Sequence, residues 1–232
     1  MQETPVVTVF LRHGTDVLLC RRSDAVGSYA GQWGAVAGHA EGDPDGMARA
    51  EIREETGIDP EASTTLVRRG EPFVVSDPDL DTRWVVHPYL FDCETTAVEP
   101  NEETSEYEWV PPTAILRRET VPDLWTSYDR VRPRVDTVAG DTDHGSAWLS
   151  LRGLEVLRDE AAMAVEGVGD YPDWAALTNL AAALVEARPA MVVVGNRVDR
   201  AVSEAAGEGT PGALESAAED GIERAQSADG AA

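Results

Sequence analysis

The hydrophobic pattern changes partway along the chain, and this change constrains the fold more than any other feature of the sequence. Up to about residue 135, short apolar runs alternate with turn residues, which is typical of strands. After residue 146, apolar residues recur every three to four positions, which is the period of a helix. We therefore expect a mixed α/β domain over residues 1–135, a linker over 136–147 and an all-α extension over 148–232.

Individual elements follow from the same pattern. The turn RHGT at residues 12–15 lies between two strand-like runs and predicts a hairpin, while 113–118 and 124–131 resemble short helices. The linker is predicted from its polar residues, Gly and Asp. Strands are predicted at 6–11, 16–22, 35–38, 73–76, 83–93 and 107–110. Helices of a C-terminal helical bundle are predicted at 147–165, 173–187, 189–205 and, more weakly, 212–228.

The charge of the chain excludes several classes of partner. Acidic side chains number 43 and basic ones 19, all of them arginine, so that the formal net charge is −24. Nucleic acid and anionic membranes both require clustered positive charge, so we expect neither as a partner. An acidic, lysine-free composition is typical of a halophilic protein in a salty cytoplasm. Cys20 and Cys93 lie in apolar runs and are expected to be buried free thiols in a reducing, cytoplasmic compartment.

One predicted helix, MARAEIREETGI at residues 47–58, gathers carboxylates on a single face. Glu51, Glu54 and Glu55 fall within an arc of about 100°. Such like charges repel by roughly 0.2–0.5 kcal/mol per pair on an exposed helix, so a positive partner is expected beside them. Magnesium prefers oxygen ligands and keeps coordination positions for a phosphate, which suits this cluster. Gly57 is expected to end the helix.

Residues 38–58 resemble the Nudix box. The run from Glu51 to Ile58 reproduces the second half of that motif, and Gly38 matches its opening glycine. The resemblance covers about residues 5–135. It implies a Nudix-type mixed sheet sandwiched by helices and a hydrolase that cleaves a nucleoside diphosphate linked to another moiety.

The sequence departs from the box at two places. Ala50 stands where the family has an arginine that helps orient the carboxylates, and Arg49 would point about 100° away from that position. The loop before the helix is also two residues short, which leaves either Glu41 or Asp43 in the role of the upstream acid.

The resemblance also implies roles for the matched residues. Glu54 and Glu55 are expected to bind Mg²⁺ or Mn²⁺, with Glu51 as a further ligand or the catalytic base. An acid from a later loop often joins this site in the family, and here the candidates are Glu102, Glu103 and Glu106.

Further candidates surround this cluster. Arg21 and Arg22 end a predicted strand and, with Gly38, are candidates for substrate binding. Trp33 is expected to belong to the core and not to a base-stacking site. His39 and His87 receive no role, since neither has a partner at ligand spacing.

The C-terminal helices resemble the N-terminal domain of the superfamily of initiation factor two-B subunits and sugar-phosphate isomerases. The resemblance covers about residues 146–230 and includes Arg188 and Pro189 before the third helix. In that superfamily a Rossmann-like domain that carries the isomerase chemistry follows these helices, and we expect no such domain here. The segment is therefore expected to be a docking or regulatory element, or the chain to be a truncated form of a longer one.

Three hypotheses of function follow. The first is a metal-dependent Nudix hydrolase whose substrate is a small nucleotide diphosphate derivative. The second is a weakly catalytic nucleotide-sensing module that regulates an initiation factor two-B-like or sugar-phosphate isomerase partner. The third is that the C-terminal helices are mainly a surface for homo-oligomerisation.

Overall fold

The structure, a computed structural model, describes residues 2–40 and 42–229. Glu41, one of the two candidates for the upstream acid, lies outside the described residues. Contacts divide the chain into two compact units, Met1–Arg132 and Pro133–Ala232. This division falls a few residues before the predicted linker.

The first unit is built on one mixed sheet of eight strands. The central pair, β1 and β7, is parallel, and the other pairs are antiparallel. The main path through the sheet is β3-β2-β1-β7-β5, while β4, β6 and β8 pair with β1, β7 and β2 respectively. The strands are β1 (Gln2–His13), β2 (Asp16–Arg22), β3 (Trp33–Gly34), β4 (Val36–His39), β5 (Thr64–Arg69), β6 (Phe73–Asp77), β7 (Thr82–Cys93) and β8 (Thr104–Val110).

Helices cover both faces of this sheet, because the strands alternate their side chains between two cores. On one face, Val7 and Val9 pack with Ile52 of helix α1 (Pro44–Thr56). On the other face, Phe10 and Leu90 pack with the 3-10 helix Pro112–Leu116 and helix α3 (Leu124–Asp129). The α/β sheet with helices on both faces agrees with the predicted fold.

The local elements of the first unit agree with most of the sequence pattern. The predicted hairpin joins β1 to β2 through Gly14, whose φ of 64° suits a tight turn. Strand β5 was not predicted, because its positions alternate between half-buried and exposed and two of its six residues are arginines. The short helix α2 (Pro60–Ser63) also has too little pattern to be predicted.

The second unit is helical throughout its regular elements. Its helices are α4 (Val135–Gly140), α5 (Ser146–Val165), α6 (Trp174–Ala187), α7 (Val192–Ala205) and α8 (Pro211–Asp229). Helices α5 to α8 lie where the three-to-four spacing predicts them, and they share one apolar core. Helix α4 differs from the prediction of a linker over 136–147, because Val138 is completely buried in that same core.

Two smaller expectations can be compared directly with the structure. Cys20 and Cys93 are buried free thiols, as predicted. Among residues 2–40 and 42–229, no helix has both the length and the hydropathy needed to cross a bilayer.

Candidate active site

Helix α1 is fixed at both ends by its own sequence. Asp43 is the N-cap residue, and its side chain accepts a hydrogen bond from the backbone N–H of Gly46. The helix ends at Gly57, as predicted, in the left-handed conformation with φ 69°. Asp43, the described candidate for the upstream acid, therefore serves as a cap.

A second set of contacts ties the first turn of α1 to the sheet. Arg69 Nη2 and the Tyr89 hydroxyl donate hydrogen bonds of 2.6 and 2.9 Å to the two carboxylate oxygens of Asp45. Ala48 and Ile52 are completely buried beneath the helix. The helix is thus held with a fixed rotation about its axis, which decides where its acidic face points.

Glu51 lies directly against Gly38 of strand β4. A Cβ atom at Gly38 would overlap with the carboxylate of Glu51, so no other residue type leaves this space open. Gly38 pairs with Val7 in the sheet, which fixes its position. The glycine of the motif therefore makes room for a carboxylate at the surface of the sheet.

Glu55 is buried beneath the same group of acids. Its Oε1 accepts a hydrogen bond of 3.1 Å from the backbone N–H of Ala37. Burial raises the pKa of Glu55 to about 8; the Ala37 hydrogen bond opposes this shift, and the charges of Glu51 and Glu103 add to it. The carboxyl group is poorly stabilised as an anion in the absence of a cation.

Glu51 has the same kind of environment. Burial raises the pKa of Glu51, and the nearby carboxylates of Glu54 and Glu103 raise it further. The three predicted residues are therefore brought together, and Glu103 joins them electrostatically.

These acids border a cavity of about 660 Å³ in the first unit. Glu51, Glu54 and Glu103 line it, together with the basic residue Arg22. Most of the remaining wall is apolar or aromatic. Its members include Val26, Tyr29, Met47, Val75, Leu80, Trp84, Val86, Val121 and Leu124.

The structure distinguishes among the candidates in the loop at 101–106. Glu103 lines the cavity, whereas Glu106 is paired with Arg21 at 3.5 Å. The backbone carbonyl of Glu102 accepts a hydrogen bond from Ser23. Of the three acids proposed from the sequence, Glu103 is the one that faces Glu51 and Glu54.

The two adjacent arginines of β2 also separate. Arg22 lines the cavity, and its Nε donates a hydrogen bond of 2.9 Å to the carbonyl of Ser28. Arg21 is exposed, and its Nε donates to the carbonyl of Gly31 while its guanidinium pairs with Glu106. Neighbouring residues of a strand point to opposite faces, so of the two arginines only Arg22 lies at the cavity. That either of them binds substrate stays a prediction.

The position of Ala50 receives no replacement cation from Arg49. The Arg49 Nη1 donates to the carbonyl of Asp45, and its guanidinium lies over the ring of Phe91. Arg49 is therefore directed away from the position of Ala50, as the helical geometry predicts.

Trp33 does not line the cavity, whereas three residues without a role in the sequence analysis do: His39, Tyr29 and Trp84. Trp33 packs against the core under the guanidinium of Arg118, which agrees with its predicted structural role. His39 lines the cavity, although it has no partner at ligand spacing that would have predicted this position. Tyr29 and Trp84 were also missed. The alternation along the strand places Trp84 and Val86 on the same face of the sheet, but it does not show which face borders a cavity.

The chemistry of the donor set fits a hard divalent cation. Carboxylate oxygens line the cavity, and no cysteine is among its described lining residues, which matches the preference of Mg²⁺ and Mn²⁺ for oxygen ligands. Within residues 2–40 and 42–229, however, no three Asp, Glu, His or Cys side chains converge closely enough to hold a metal ion. The acids surround the cavity without meeting at one point.

A family model described as "NUDIX domain" matches residues 2–131, which is more than half of the chain. The chain belongs to the NUDIX domain family. The resemblance inferred from residues 38–58 is thereby confirmed, and the match does not reach helices α5 to α8. The resemblance of those helices to initiation factor two-B subunits stays a prediction.

Solved structures similar to this NUDIX chain have low sequence identity. The MutT protein from Methanosarcina mazei Go1 is 24% identical over 56% of this chain and 93% of its own, with a TM-score of 0.46. An Ap4A hydrolase from C. elegans is 15% identical over 55% of this chain and 93% of its own, with a TM-score of 0.46. The NUDIX domain of Shewanella oneidensis NrtR, complexed with ADP ribose, is 16% identical over 56% and 86%, with a TM-score of 0.44. No curated protein matches the chain.

Proposed function

We propose that the first unit is a divalent-metal-dependent pyrophosphohydrolase that cleaves a nucleoside diphosphate linked to another moiety. The observation that carries this proposal is the group of four carboxylates at one cavity. Glu51, Glu54 and Glu103 line it, and the buried Glu55 lies beside them with a raised pKa. Arg22 is the one arginine among the described residues that line the cavity, so a bound cation would stabilise the group of carboxylates by reducing their mutual repulsion.

The four carboxylates divide into two proposed roles. Glu54 and Glu55 supply oxygen ligands, as the Nudix box implies, and Glu103 adds a third ligand from the loop before β8. Glu54 and Glu103 are exposed in the structure, so their side chains can rotate toward a cation. A bound divalent cation stabilises the negative charge that develops on the phosphoryl oxygens.

Glu51 is the proposed general base. It is half-buried, lines the cavity and has a raised pKa, which are properties that favour proton acceptance. Water attacks one phosphorus of the pyrophosphate, its proton passes to Glu51, and the bond from phosphorus to the bridging oxygen breaks. Arg22 lines the same cavity, which supports it as the proposed contact for a phosphate oxygen of the substrate.

A turnover assay tests this proposal. Phosphate or nucleotide release would be measured with Mg²⁺ at molar salt over a panel of nucleoside diphosphate derivatives. We expect wild-type turnover to fall at least about 100-fold in Glu54→Gln and Glu103→Gln. Glu106→Gln changes the same loop and the same charge but is paired with Arg21, so it is the matched control and retains activity. Full activity in Glu54→Gln would overturn the proposal.

A second candidate function follows from Ala50. The position that carries an arginine in the Nudix box has no cationic side chain, and Arg49 is directed elsewhere. This favours a weakly catalytic module that binds a nucleotide as a signal. If wild type is inert on every compound and Ala50→Arg gains activity, the sensor is the better account.

For the second unit we propose a role in homo-oligomerisation. Its helices α5 to α8 share an apolar core of their own, and the exposed side chains of Val192 and Val193 at the start of α7 add apolar surface that a second copy can cover. Light scattering of the full chain and of a chain ending at residue 132 would test this role. An unchanged oligomeric size after the deletion would contradict it.

A further inference from the structure

One hydroxyl group joins two segments of the cavity wall that are distant in the sequence. The Tyr29 hydroxyl donates a hydrogen bond of 2.6 Å to Asp77 Oδ2 and accepts one of 3.0 Å from Trp84 Nε1. Tyr29 belongs to the loop between β2 and β3, whereas Asp77 and Trp84 belong to the β6–β7 hairpin. The position of the loop relative to the hairpin therefore depends on this hydroxyl.

Both sides of the contact are themselves well ordered by hydrogen bonds. The other oxygen of Asp77 accepts from the backbone N–H groups of Asp79 and Leu80, which holds the hairpin turn. On the loop side, Arg22 Nε donates to the carbonyl of Ser28. Tyr29 joins two structured segments, and it is not the tip of a freely moving loop.

The backbone of Tyr29 adds to this conclusion. Its φ is 55°, in the left-handed region that residues other than glycine seldom adopt. Such a conformation persists where surrounding contacts determine it, and it is found at ligand clamps. The hydroxyl bridge is one such contact, and the hydrogen bond that the Tyr29 carbonyl accepts from the N–H of Gln32 is another.

Trp84 lies on the part of the cavity wall that the carboxylates leave open. In the sheet, His39 and Val86 are both opposite Val6, while Trp84 is two residues further along β7. Two residues along a strand correspond to about 7 Å. With Val75 and Leu80 beside it, Trp84 forms an apolar, aromatic region of the wall.

We propose that the base of the nucleotide stacks on the indole ring of Trp84 and that Tyr29 is the positioning residue that holds this ring in place. The proposal rests on the proposed function, since the carboxylates are taken to bind the pyrophosphate and the remaining wall then faces the nucleoside. The N–H group of Trp84 is already bonded to Tyr29, so the ring offers its face and no edge donor. Recognition by stacking alone accepts any base and favours the larger purine ring.

The test uses binding, which does not require turnover. AMP, UMP and inorganic pyrophosphate would each be titrated calorimetrically into the full chain with Mg²⁺. We expect AMP to bind more tightly than UMP. In Tyr29→Phe the dissociation constant of AMP should rise about three- to tenfold, and in Trp84→Leu about tenfold or more, with that of pyrophosphate unchanged in both.

Tyr107→Phe is the matched control. It removes another tyrosine hydroxyl of the first unit, from strand β8, where Tyr107 is exposed and does not line the cavity. We expect this variant to bind AMP as wild type does. Asp77→Asn keeps an oxygen acceptor for Tyr29 and should retain most of the AMP affinity.

The outcomes separate this inference from the proposed hydrolysis. If a substrate is turned over, Tyr29→Phe should raise KM with kcat within about twofold of wild type, as expected for lost ground-state binding. AMP affinity unchanged in folded Tyr29→Phe and Trp84→Leu would overturn the inference, as would an equal loss of pyrophosphate affinity. A third outcome is that the wild type hydrolyses no compound of the panel while the two variants still lose AMP binding. That result would support the inference and contradict the proposed hydrolase activity.

Discussion

At the scale of single residues, the candidate site depends on the contact between Gly38 and Glu51. The missing side chain of Gly38 leaves the space in which the carboxylate of Glu51 lies. The neighbouring Glu55 is fixed by the N–H of Ala37. Strand β4 thus positions two of the three acids of α1. Gly38 leaves space for Glu51, and the backbone N–H of Ala37 binds Glu55.

Gly38→Ala should separate catalysis from folding. The added methyl group must displace the flexible carboxylate of Glu51, which costs little stability but moves the proposed base. We expect turnover to fall about 100-fold, with a melting temperature within about 2 °C of wild type. Gly145→Ala, where a Cβ meets only open space, is the control. Wild-type turnover in Gly38→Ala would show that the position of Glu51 is not critical.

The pKa of Glu55 predicts how stability changes with pH in the absence of metal. The carboxyl group keeps its proton up to about pH 8 in the folded protein, against an ordinary value of 4.5. The folded state then binds more protons between these two values, so this group makes stability fall as pH rises through that window, by up to about 1.4 kcal/mol per pH unit.

Glu55→Gln tests that sign. The amide keeps an oxygen acceptor for the N–H of Ala37 and cannot ionise. In urea unfolding with EDTA, we expect the variant to match wild type near pH 4.5 and to exceed it progressively toward pH 8. Glu61→Gln removes an exposed charge and serves as the control. A difference between Glu55→Gln and wild type that is constant from pH 5 to 8 would contradict the assignment.

At the scale of elements, helix α1 presents its acids correctly only if its ends are fixed. Asp43 caps the first turn, Arg69 and Tyr89 hold Asp45, and Gly57 ends the helix. The two caps are local, whereas the contacts of Asp45 come from strands β5 and β7. Together they set the rotation that directs Glu51 and Glu54 to the cavity.

Gly57→Ala should destabilise the first unit. Its φ of 69° is unfavourable for any residue with a side chain, and a Cβ would lie 3.1 Å from the Cβ of Glu99. We expect a loss of about 1–2 kcal/mol in the free energy of unfolding. Urea denaturation followed by tryptophan fluorescence measures it. An unchanged midpoint would mean that the chain relaxes around this turn.

The elements also show how far sequence reasoning reaches. Helix α1 was predicted through its cap and its carboxylates, and helices α5 to α8 through their apolar spacing, because these signals are local. Strand β5 and helix α4 were missed, since each depends on tertiary packing, in α4 on the burial of Val138. The acids of the box could be predicted for the same local reason. Glu103, Tyr29 and Trp84 could not be singled out, because only the fold brings their segments to the cavity.

At the scale of the whole molecule, the charge is the dominant property. A formal net charge of −24 on 232 residues repels itself, and the chain has no lysine. Many of its arginines are used in pairs with acids, such as Arg53 with Asp59 and Glu61. Exposed charges separated by more than about 8–10 Å are screened at physiological salt and more strongly above it.

Stability should therefore rise with salt. We expect the urea midpoint at pH 7 to increase as NaCl is raised from 0.1 to 2 M, because screening relieves the repulsion in the compact state. A series in sucrose at low ionic strength controls for general exclusion of solutes from the protein surface. A midpoint that is independent of NaCl would show that the acidic surface does not limit stability.

The most direct test of the central claim, that the carboxylate cluster binds a divalent cation, is a calorimetric titration. Mg²⁺ would be added at constant ionic strength to metal-free wild type, Glu54→Gln and the charge-matched control Glu61→Gln. We expect saturable binding in wild type and Glu61→Gln, and an affinity at least about tenfold lower in Glu54→Gln. Equal binding in all three proteins, or no saturable binding in wild type, would contradict the account.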